Sequence, residues 1–162
     1  MGNLFDYTVK TIDGKTKSLA DYRGAVVLIV NVASRCGLTP QYAGLEALHR
    51  RFKDRGLHVL GFPANDFGAQ EPGTEAEIKA FCSTNYDVTF EMFSKVSVKG
   101  AAADPLYTFL QRPEHGVNAE VKWNFHKFLV GRDGMLLGGF ASTVAPDSPD
   151  LAAAIEAALA IS

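Results

Sequence analysis

The stretch that decides the fold reads Val26-Val-Leu-Ile-Val-Asn-Val-Ala-Ser-Arg-Cys36, and Gly37-Leu-Thr-Pro40 follows it. Apolar residues without alternation predict a strand covered on both faces, the central strand of a parallel or mixed sheet. Thr39 is a candidate helix cap and Pro40 suits a first helical turn, so a helix is predicted to open here. A strand-to-helix turn offers backbone N–H groups and the positive end of a helix dipole, which favour thiolate over thiol. Cys36 is therefore a candidate nucleophile.

The predicted helix leads into a second strand. Its apolar stripe recurs at helical spacing before Gly56 ends the helix, and it consists of Tyr42, Leu45, Leu48 and Phe52. Residues Leu57 to Phe62 then read as a strand. Together these elements predict a right-handed βαβ unit.

Two further elements are predicted on either side of this unit. Residues Tyr7 to Ser18 contain Asp13-Gly14 between short β-prone stretches, which predicts an N-terminal hairpin. Thr74 and Glu77 form a capping box, and Cys82 follows with Ile78 and Phe81 on one helical face. Cys82 is therefore expected on the apolar side of a helix.

The rest of the chain predicts a hairpin between helices. Residues Val88 to Val98 are expected to be irregular and to close in a short strand, and Asp104 to Leu110 to form a short helix. Two strands, Lys122 to Val130 and Met135 to Phe140, are expected to flank a turn at residues 131–134, with a terminal helix from Ser148. This order predicts an α/β thioredoxin-like fold with an N-terminal β-hairpin extension and a central mixed sheet flanked by helices. We expect a single domain over residues 1–162.

Composition excludes several classes of function. The 16 basic and 18 acidic residues are interspersed and give a net charge of -2, so no basic stripe for nucleic acid is expected. The longest apolar run, Ala25 to Val30, is far short of a membrane span, and the opening residues lack a leader pattern. We therefore expect a cytoplasmic protein without stable membrane association. The four histidines share no metal-ligand spacing, and we expect neither a metal nor a cofactor.

Three segments resemble signatures of the glutathione peroxidase family. They are Asn31-Val-Ala-Ser-Arg-Cys-Gly-Leu-Thr-Pro-Gln41, Gly61-Phe-Pro-Ala-Asn-Asp-Phe-Gly-Ala-Gln-Glu-Pro-Gly73 and Lys122-Trp-Asn-Phe-His-Lys-Phe-Leu129. The resemblance implies a peroxidase in which Cys36 is the peroxidatic residue. It also implies that Gln70, Trp123 and Asn124 complete a tetrad around Cys36. Their side chains suit this role, because they are neutral hydrogen-bond donors that can face a thiolate.

The same resemblance extends to the second cysteine. Relatives with cysteine at the active site and a second cysteine at the position of Cys82 are typically regenerated by thioredoxin, so thioredoxin is the expected reductant, with glutathione possible. The expected substrates are hydrogen peroxide and organic or lipid hydroperoxides. Cys82 would resolve the Cys36 sulfenic acid as a disulfide, which requires the two Cα atoms to come within about 4.4 to 6.8 Å. We therefore expect the Cys82 helix to unwind locally, helped by the weak helix formers from Ser83 to Asp87.

The chain departs from the family pattern at three places. Ala64 stands where many relatives have a third cysteine, and Asp66 stands where they have glutamine. A carboxylate close to Cys36 would oppose thiolate formation. The segment from Gln111 to Lys122 lacks the insertion that tetrameric relatives use in assembly, so a monomer is expected.

Other interpretations of the same residues remain open. Cys82 could be a small core residue, Gln70 could shape a turn, and Trp123 could fill core space. A thioredoxin or glutaredoxin would place Cys or Ser where Thr39 stands, and a peroxiredoxin would have Thr at position 33 in place of alanine. A redox sensor that passes oxidation from Cys36 to a partner protein uses the same first step, so the sequence leaves that function open.

Overall fold

The computed structural model describes residues 3–116 and 118–161, and β3 (Val26–Val32) lies at the middle of its main sheet. Every residue of β3 is buried, as a strand covered on both faces requires. β3 pairs in parallel with β4 (Leu57–Pro63) and antiparallel with β6 (Lys127–Val130). The two outer strands are β5 (Glu91–Met92) next to β4 and β7 (Leu136–Phe140) next to β6. The predicted mixed sheet and the βαβ unit are confirmed.

The N-terminal hairpin is a separate two-stranded sheet. Strands β1 (Thr8–Lys10) and β2 (Thr16–Ser18) pair antiparallel. A β-bridge between Thr11 and Phe93, with a hydrogen bond from the Ser94 N–H to the Lys10 carbonyl, connects this region to the residues that follow β5. The predicted extension is therefore present and is attached at its edge.

Within the described residues, four α-helices are packed around the sheet: α1 (Gln41–Phe52), α2 (Glu75–Tyr86), α3 (Pro105–Leu110) and α4 (Pro149–Ala160). Alternate residues of β3 point to opposite faces of the sheet, so Val26 and Leu28 pack with α1, α2 and α4. Val27 and Ile29 pack with α3 and the N-terminal segment on the other face. The apolar core therefore has two layers, and Cys36 and Cys82 both belong to the first.

Two helix signals of the sequence, the capping box at Thr74 and the stop at Gly56, are found where they were predicted. The Thr74 hydroxyl accepts a hydrogen bond from the Glu77 N–H, and the Glu77 carboxylate accepts one from the Thr74 N–H. Gly56 adopts the left-handed conformation after a short 3-10 turn that follows α1. In the described ranges no helix is long and apolar enough to cross a membrane.

Three local predictions were wrong. Strand β6 begins at Lys127, because residues 123–126 form a turn before the strand. The short strand β5 lies near the middle of residues 88–98, since it pairs with β4 only at Glu91 and Met92. Thr39 does not cap α1: Pro40 occupies the cap position, and the Thr39 hydroxyl hydrogen-bonds within the turn that precedes the helix.

Two expectations rest partly on residues outside the described ranges. Met1 and Gly2, where a leader was judged absent, are not among the described residues, and neither is Val117 within the short segment from Gln111 to Lys122.

Candidate active site

Cys36 lies in a tight turn between β3 and α1. The Leu38 N–H donates to Cys36 Sγ at 3.3 Å, so a backbone dipole points at the sulfur. The Cys36 N–H donates to Thr39 Oγ1 at 2.9 Å, and that hydroxyl donates to the Ala33 carbonyl at 2.8 Å. The residue is 8% exposed, which leaves a narrow approach to the sulfur. The turn therefore fixes the thiol and offers it one amide donor just before a helix N-terminus.

Gln70, Trp123 and Asn124 come together beside this turn. The Asn124 side-chain amide donates to Gln70 Oε1 at 3.0 Å. A Cβ built on Gly68 would lie 3.4 Å from both the Gln70 Nε2 and the Trp123 ring, so these two side chains converge on the same glycine. The Arg35 N–H donates to the Gln70 carbonyl at 3.0 Å and joins this group to the Cys36 turn.

The three side chains differ in exposure. Asn124 is fully buried, and among the described residues its Oδ1 has no hydrogen-bond partner. Trp123 is 37% exposed and its ring packs against Phe67, with centroids 5.7 Å apart. Gln70 is half-buried. An exposed indole next to the buried Asn124 amide is unlike a residue that only fills the core.

Asn31 holds the turn that carries Trp123 and Asn124. Its side-chain amide donates to the Trp123 carbonyl at 3.1 Å, and its Oδ1 accepts from the His126 N–H at 3.2 Å. Its own carbonyl accepts from the Phe125 N–H at 2.6 Å, where Phe125 has a φ of 66°. The sequence patterns predicted no role for Asn31. A polar residue inside an otherwise apolar buried strand was the signal that could have indicated one.

Cys82 lies on the buried face of α2 and is 2% exposed. Burial raises the pKa of its thiol to about 11, and the hydroxyl of Tyr42 stands next to it. Both cysteines are free thiols in this structure. A thiol in these surroundings is protonated at neutral pH and is protected from reagents while the helix is intact.

The Asp66 carboxylate binds a neighbouring loop. It accepts from the Ser97 hydroxyl at 3.0 Å and from the Val98 N–H at 2.5 Å. These two bonds attach the loop after β4 to the loop that precedes α3. They give Asp66 a structural role in holding those loops together.

A groove of about 700 Å³ runs along the exposed side of Trp123. Its walls come from the segment before β6 and from the loop after β7, and they include Pro113, Ala119, Lys122, His126, Ala141 and Thr143. The groove gives a small organic molecule a path to the residues around Trp123.

Comparison with known proteins identifies the family. The glutathione peroxidase family profile matches residues 4–111 of the chain. The chain belongs to the glutathione peroxidase family. It is 48% identical over 160 residues to the hydroperoxy fatty acid reductase gpx1 of Synechocystis sp., with 94% of each sequence covered. It is 47% identical over 148 residues to the glutathione peroxidase-like peroxiredoxin gpx1 of Schizosaccharomyces pombe, with 91% of this chain and 94% of that one covered.

The solved structures agree with this assignment. The crystal structure of Trgpx in apo form superposes with a TM-score of 0.79 at 37% identity, and the match covers 98% of this chain and 96% of that one. The predicted thioredoxin-like fold and the glutathione peroxidase family are thereby confirmed. The individual roles of Cys36, Gln70, Trp123, Asn124 and Cys82 remain predictions, which the geometry above supports.

Proposed function

We propose that this glutathione peroxidase family protein reduces hydroperoxides through Cys36. The observation that carries the proposal is the Cys36 sulfur, which accepts the Leu38 N–H in a turn joined to the Gln70–Asn124 pair. A thiolate held next to neutral donors is the nucleophile that peroxide reduction needs. The side chains of Gln70, Trp123 and Asn124 are neutral, so none of the three competes with the peroxide leaving group for a proton.

The first step is attack of the Cys36 thiolate on one peroxide oxygen. The oxygen–oxygen bond breaks, a sulfenic acid forms on Cys36, and the departing hydroxide or alkoxide takes a proton to leave as water or alcohol. The indole N–H of Trp123 and the amides of Gln70 and Asn124 are donors for the charge on the sulfur or on the leaving oxygen. Asn31 fixes the turn on which two of these donors lie.

The second step is formation of a disulfide between Cys36 and Cys82. Because Cys82 is buried on the inner face of α2, this step requires the helix to unwind locally. The end of α2 favours unwinding, since Ser83, Thr84 and Asn85 are exposed and polar and Asp87 adopts the left-handed conformation. Thioredoxin then reduces the exposed disulfide, and the peroxiredoxin-like name of the Schizosaccharomyces relative supports it over glutathione.

The substrates we propose are hydrogen peroxide and organic or lipid hydroperoxides. The groove along Trp123 has room for an alkyl chain. The Synechocystis relative is named for hydroperoxy fatty acids, which supports the wider substrate class. We propose that the protein acts as a cytoplasmic monomer of one domain, without a cofactor, metal or nucleic-acid partner.

A coupled assay tests the proposal. Consumption of NADPH is followed with hydrogen peroxide or an organic hydroperoxide, using either thioredoxin with its reductase or glutathione with its reductase. Cys36→Ser is expected to abolish turnover with every donor, whereas Cys82→Ser is expected to lose the thioredoxin-driven turnover selectively. Full thioredoxin-driven activity in either variant would contradict the proposed pathway.

A further inference from the structure

A group of buried polar side chains lies between the two cysteines without hydrogen-bond partners. Glu71 is fully buried, and neither of its carboxylate oxygens has a partner among the described residues. The hydroxyls of Ser34 and Tyr42 are also buried and lack partners within the same part of the chain. We refer to Ser34, Tyr42 and Glu71 as the buried polar cluster. The nearest polar groups are members of the cluster itself and the Cys82 thiol, which face one another without a hydrogen bond of standard geometry. Buried polar groups held in this way are costly to keep in the interior of a protein.

The buried polar cluster extends from the Cys36 turn to Cys82. The Ser34 hydroxyl stands next to the Glu71 carboxyl, two residues before Cys36, while the Tyr42 hydroxyl stands next to the Cys82 thiol. A cavity of about 150 Å³ separates the Cys36 turn from α2, and Ser34 and Glu71 line it. The Glu71 backbone is fixed, because its N–H donates to Asn65 Oδ1 at 2.8 Å.

Disulfide formation requires a proton to move from Cys82 toward Cys36, along the buried polar cluster. The Cys82 sulfur bonds to the Cys36 sulfur, the Cys36 sulfur–oxygen bond breaks, and hydroxide departs. Cys82 is oxidised and the sulfenic sulfur is reduced, so no outside oxidant is needed. The proton of Cys82 must leave it, and one proton must reach the hydroxide to make water. With a pKa of about 11, only about 10⁻⁴ of the buried Cys82 thiol is ionised at pH 7.

We propose that Glu71 relays this proton, accepting it from Cys82 by way of the Tyr42 hydroxyl and delivering it to the hydroxide that leaves Cys36. This inference rests on the proposed function, because it concerns the resolving step of that reaction. The proton leaves Cys82 while α2 is still folded and the thiol lies next to the Tyr42 hydroxyl. Tyr42 belongs to α1 and Glu71 precedes α2, so both stay beside the Cys36 turn when α2 then unwinds and brings the Cys82 thiolate to Cys36. In this relay Glu71 acts as a general acid–base residue of the resolving step.

The surroundings of Glu71 suit a carboxyl that changes its protonation state. Burial raises the pKa of Glu71, while the neighbouring Ser34 and, more weakly, Lys95 and Arg35 lower it. The other titratable groups near it are Tyr42, Cys82 and Glu77. A carboxyl whose pKa lies closer to neutrality exchanges protons more effectively at physiological pH than an ordinary one.

Rapid-mixing kinetics of Glu71→Gln tests the relay. This substitution keeps the shape of the side chain and removes its titration, and Glu114→Gln at an exposed site is the control. Oxidation of Cys36 by hydrogen peroxide and closure of the Cys36–Cys82 disulfide are measured separately, by quenching, alkylation and mass spectrometry. Glu71→Gln is expected to slow disulfide closure roughly 10²-fold and to flatten its rise with pH, with partial recovery in Glu71→Asp. Oxidation of Cys36 is expected to stay within about 2-fold of the unmodified protein, since the relay acts only in the later step.

Tyr42→Phe provides a second test that does not depend on Glu71→Gln folding. Removal of the hydroxyl alone is expected to slow disulfide closure about 10-fold while leaving Cys36 oxidation unchanged. Unchanged closure rates and pH profiles in either folded variant would overturn the relay. Absence of Cys36 oxidation in the unmodified protein would instead overturn the proposed function, so the two failures are distinguishable.

Discussion

The Thr39 hydroxyl is the most direct point at which to disturb the Cys36 turn. It accepts the Cys36 N–H and donates to the Ala33 carbonyl, and Thr39 is only 5% exposed. Thr39→Val keeps the volume and removes both bonds. Each bond contributes about 1 kcal/mol net, and leaving the two buried partners unpaired adds to that cost. We therefore expect the free energy of unfolding to fall by about 2 to 4 kcal/mol.

Thr39→Ser is the matched control for this change. It keeps both hydrogen bonds and removes one methyl group, which costs about 0.8 kcal/mol. For a chain of this size, a loss of 1 kcal/mol lowers Tm by about 2 to 4 °C, so Thr39→Val is expected to unfold about 5 to 15 °C lower. Thermal unfolding measures the stability of both variants.

The same pair of variants tests the chemistry of the turn. Once the Cys36 N–H loses its acceptor, the sulfur is held less firmly against the Leu38 N–H, and we expect oxidation of Cys36 by peroxide to slow about 10-fold in Thr39→Val. Stopped-flow fluorescence of Trp123 follows this oxidation. Equal stability and equal oxidation rates in the valine and serine variants would refute the role assigned to the Thr39 hydroxyl.

Three further predictions concern other parts of the structure. In Asn31→Ala the Trp123 carbonyl and the His126 N–H lose their buried partners. We therefore expect the free energy of unfolding to fall by about 2 to 4 kcal/mol and peroxidase activity to fall by at least about 10-fold. Full activity in the coupled assay would contradict this prediction. Burial lowers the pKa of His126 from 6.5 to about 4. Between these two pH values the unfolded chain binds a proton that the folded protein does not, so the free energy of unfolding is expected to fall by about 3 kcal/mol as the pH falls from 6.5 to 4. Denaturant titrations should show a smaller fall for His126→Gln. In the reduced native protein, Cys82 is expected to react with iodoacetamide at pH 8 at least about 100-fold more slowly than a free cysteine, since its pKa of about 11 leaves little thiolate. Peptide mass spectrometry measures the rate of this reaction. A rate equal to that of a free cysteine would rule the prediction out.

Local sequence patterns predicted the elements whose formation depends on nearby residues. The buried strand around Val30, the capping box at Thr74 and the glycine stop at Gly56 were all in their predicted places. These signals depend on residues within a few positions of one another, and the sequence displays them directly.

Contacts between distant segments are what the sequence did not display. The strand β6 was predicted to begin at Lys122, but Asn31, far away along the chain, binds the backbone on both sides of Asn124 and holds residues 123–126 as a turn. Thr39 was predicted to cap a helix because its type and position allow it, whereas the hydroxyl instead joins Cys36 to Ala33. The start of β6 and the partners of the Thr39 hydroxyl depend on tertiary contacts, which compete with the local preference for a strand or a helix cap.

The candidate site was predicted unevenly for the same reason. Resemblance to a family pointed to Cys36, Gln70, Trp123 and Asn124, and the structure brings the last three together beside the cysteine turn. Neither Glu71 nor Tyr42 was singled out for chemistry, because a glutamate next to a proline and a tyrosine in an apolar stripe have ordinary structural interpretations. Only the absence of hydrogen-bond partners among the described residues distinguishes them.

The central claim is that the two cysteines form one catalytic pair. Its most direct test is to add one equivalent of hydrogen peroxide to the fully reduced protein, block the remaining thiols, and analyse the peptides by mass spectrometry. Most of the protein is expected to carry a Cys36–Cys82 disulfide, which thioredoxin reduces and which Cys36→Ser cannot form. Recovery of Cys82 as a free thiol beside a Cys36 sulfenic acid would contradict this pairing.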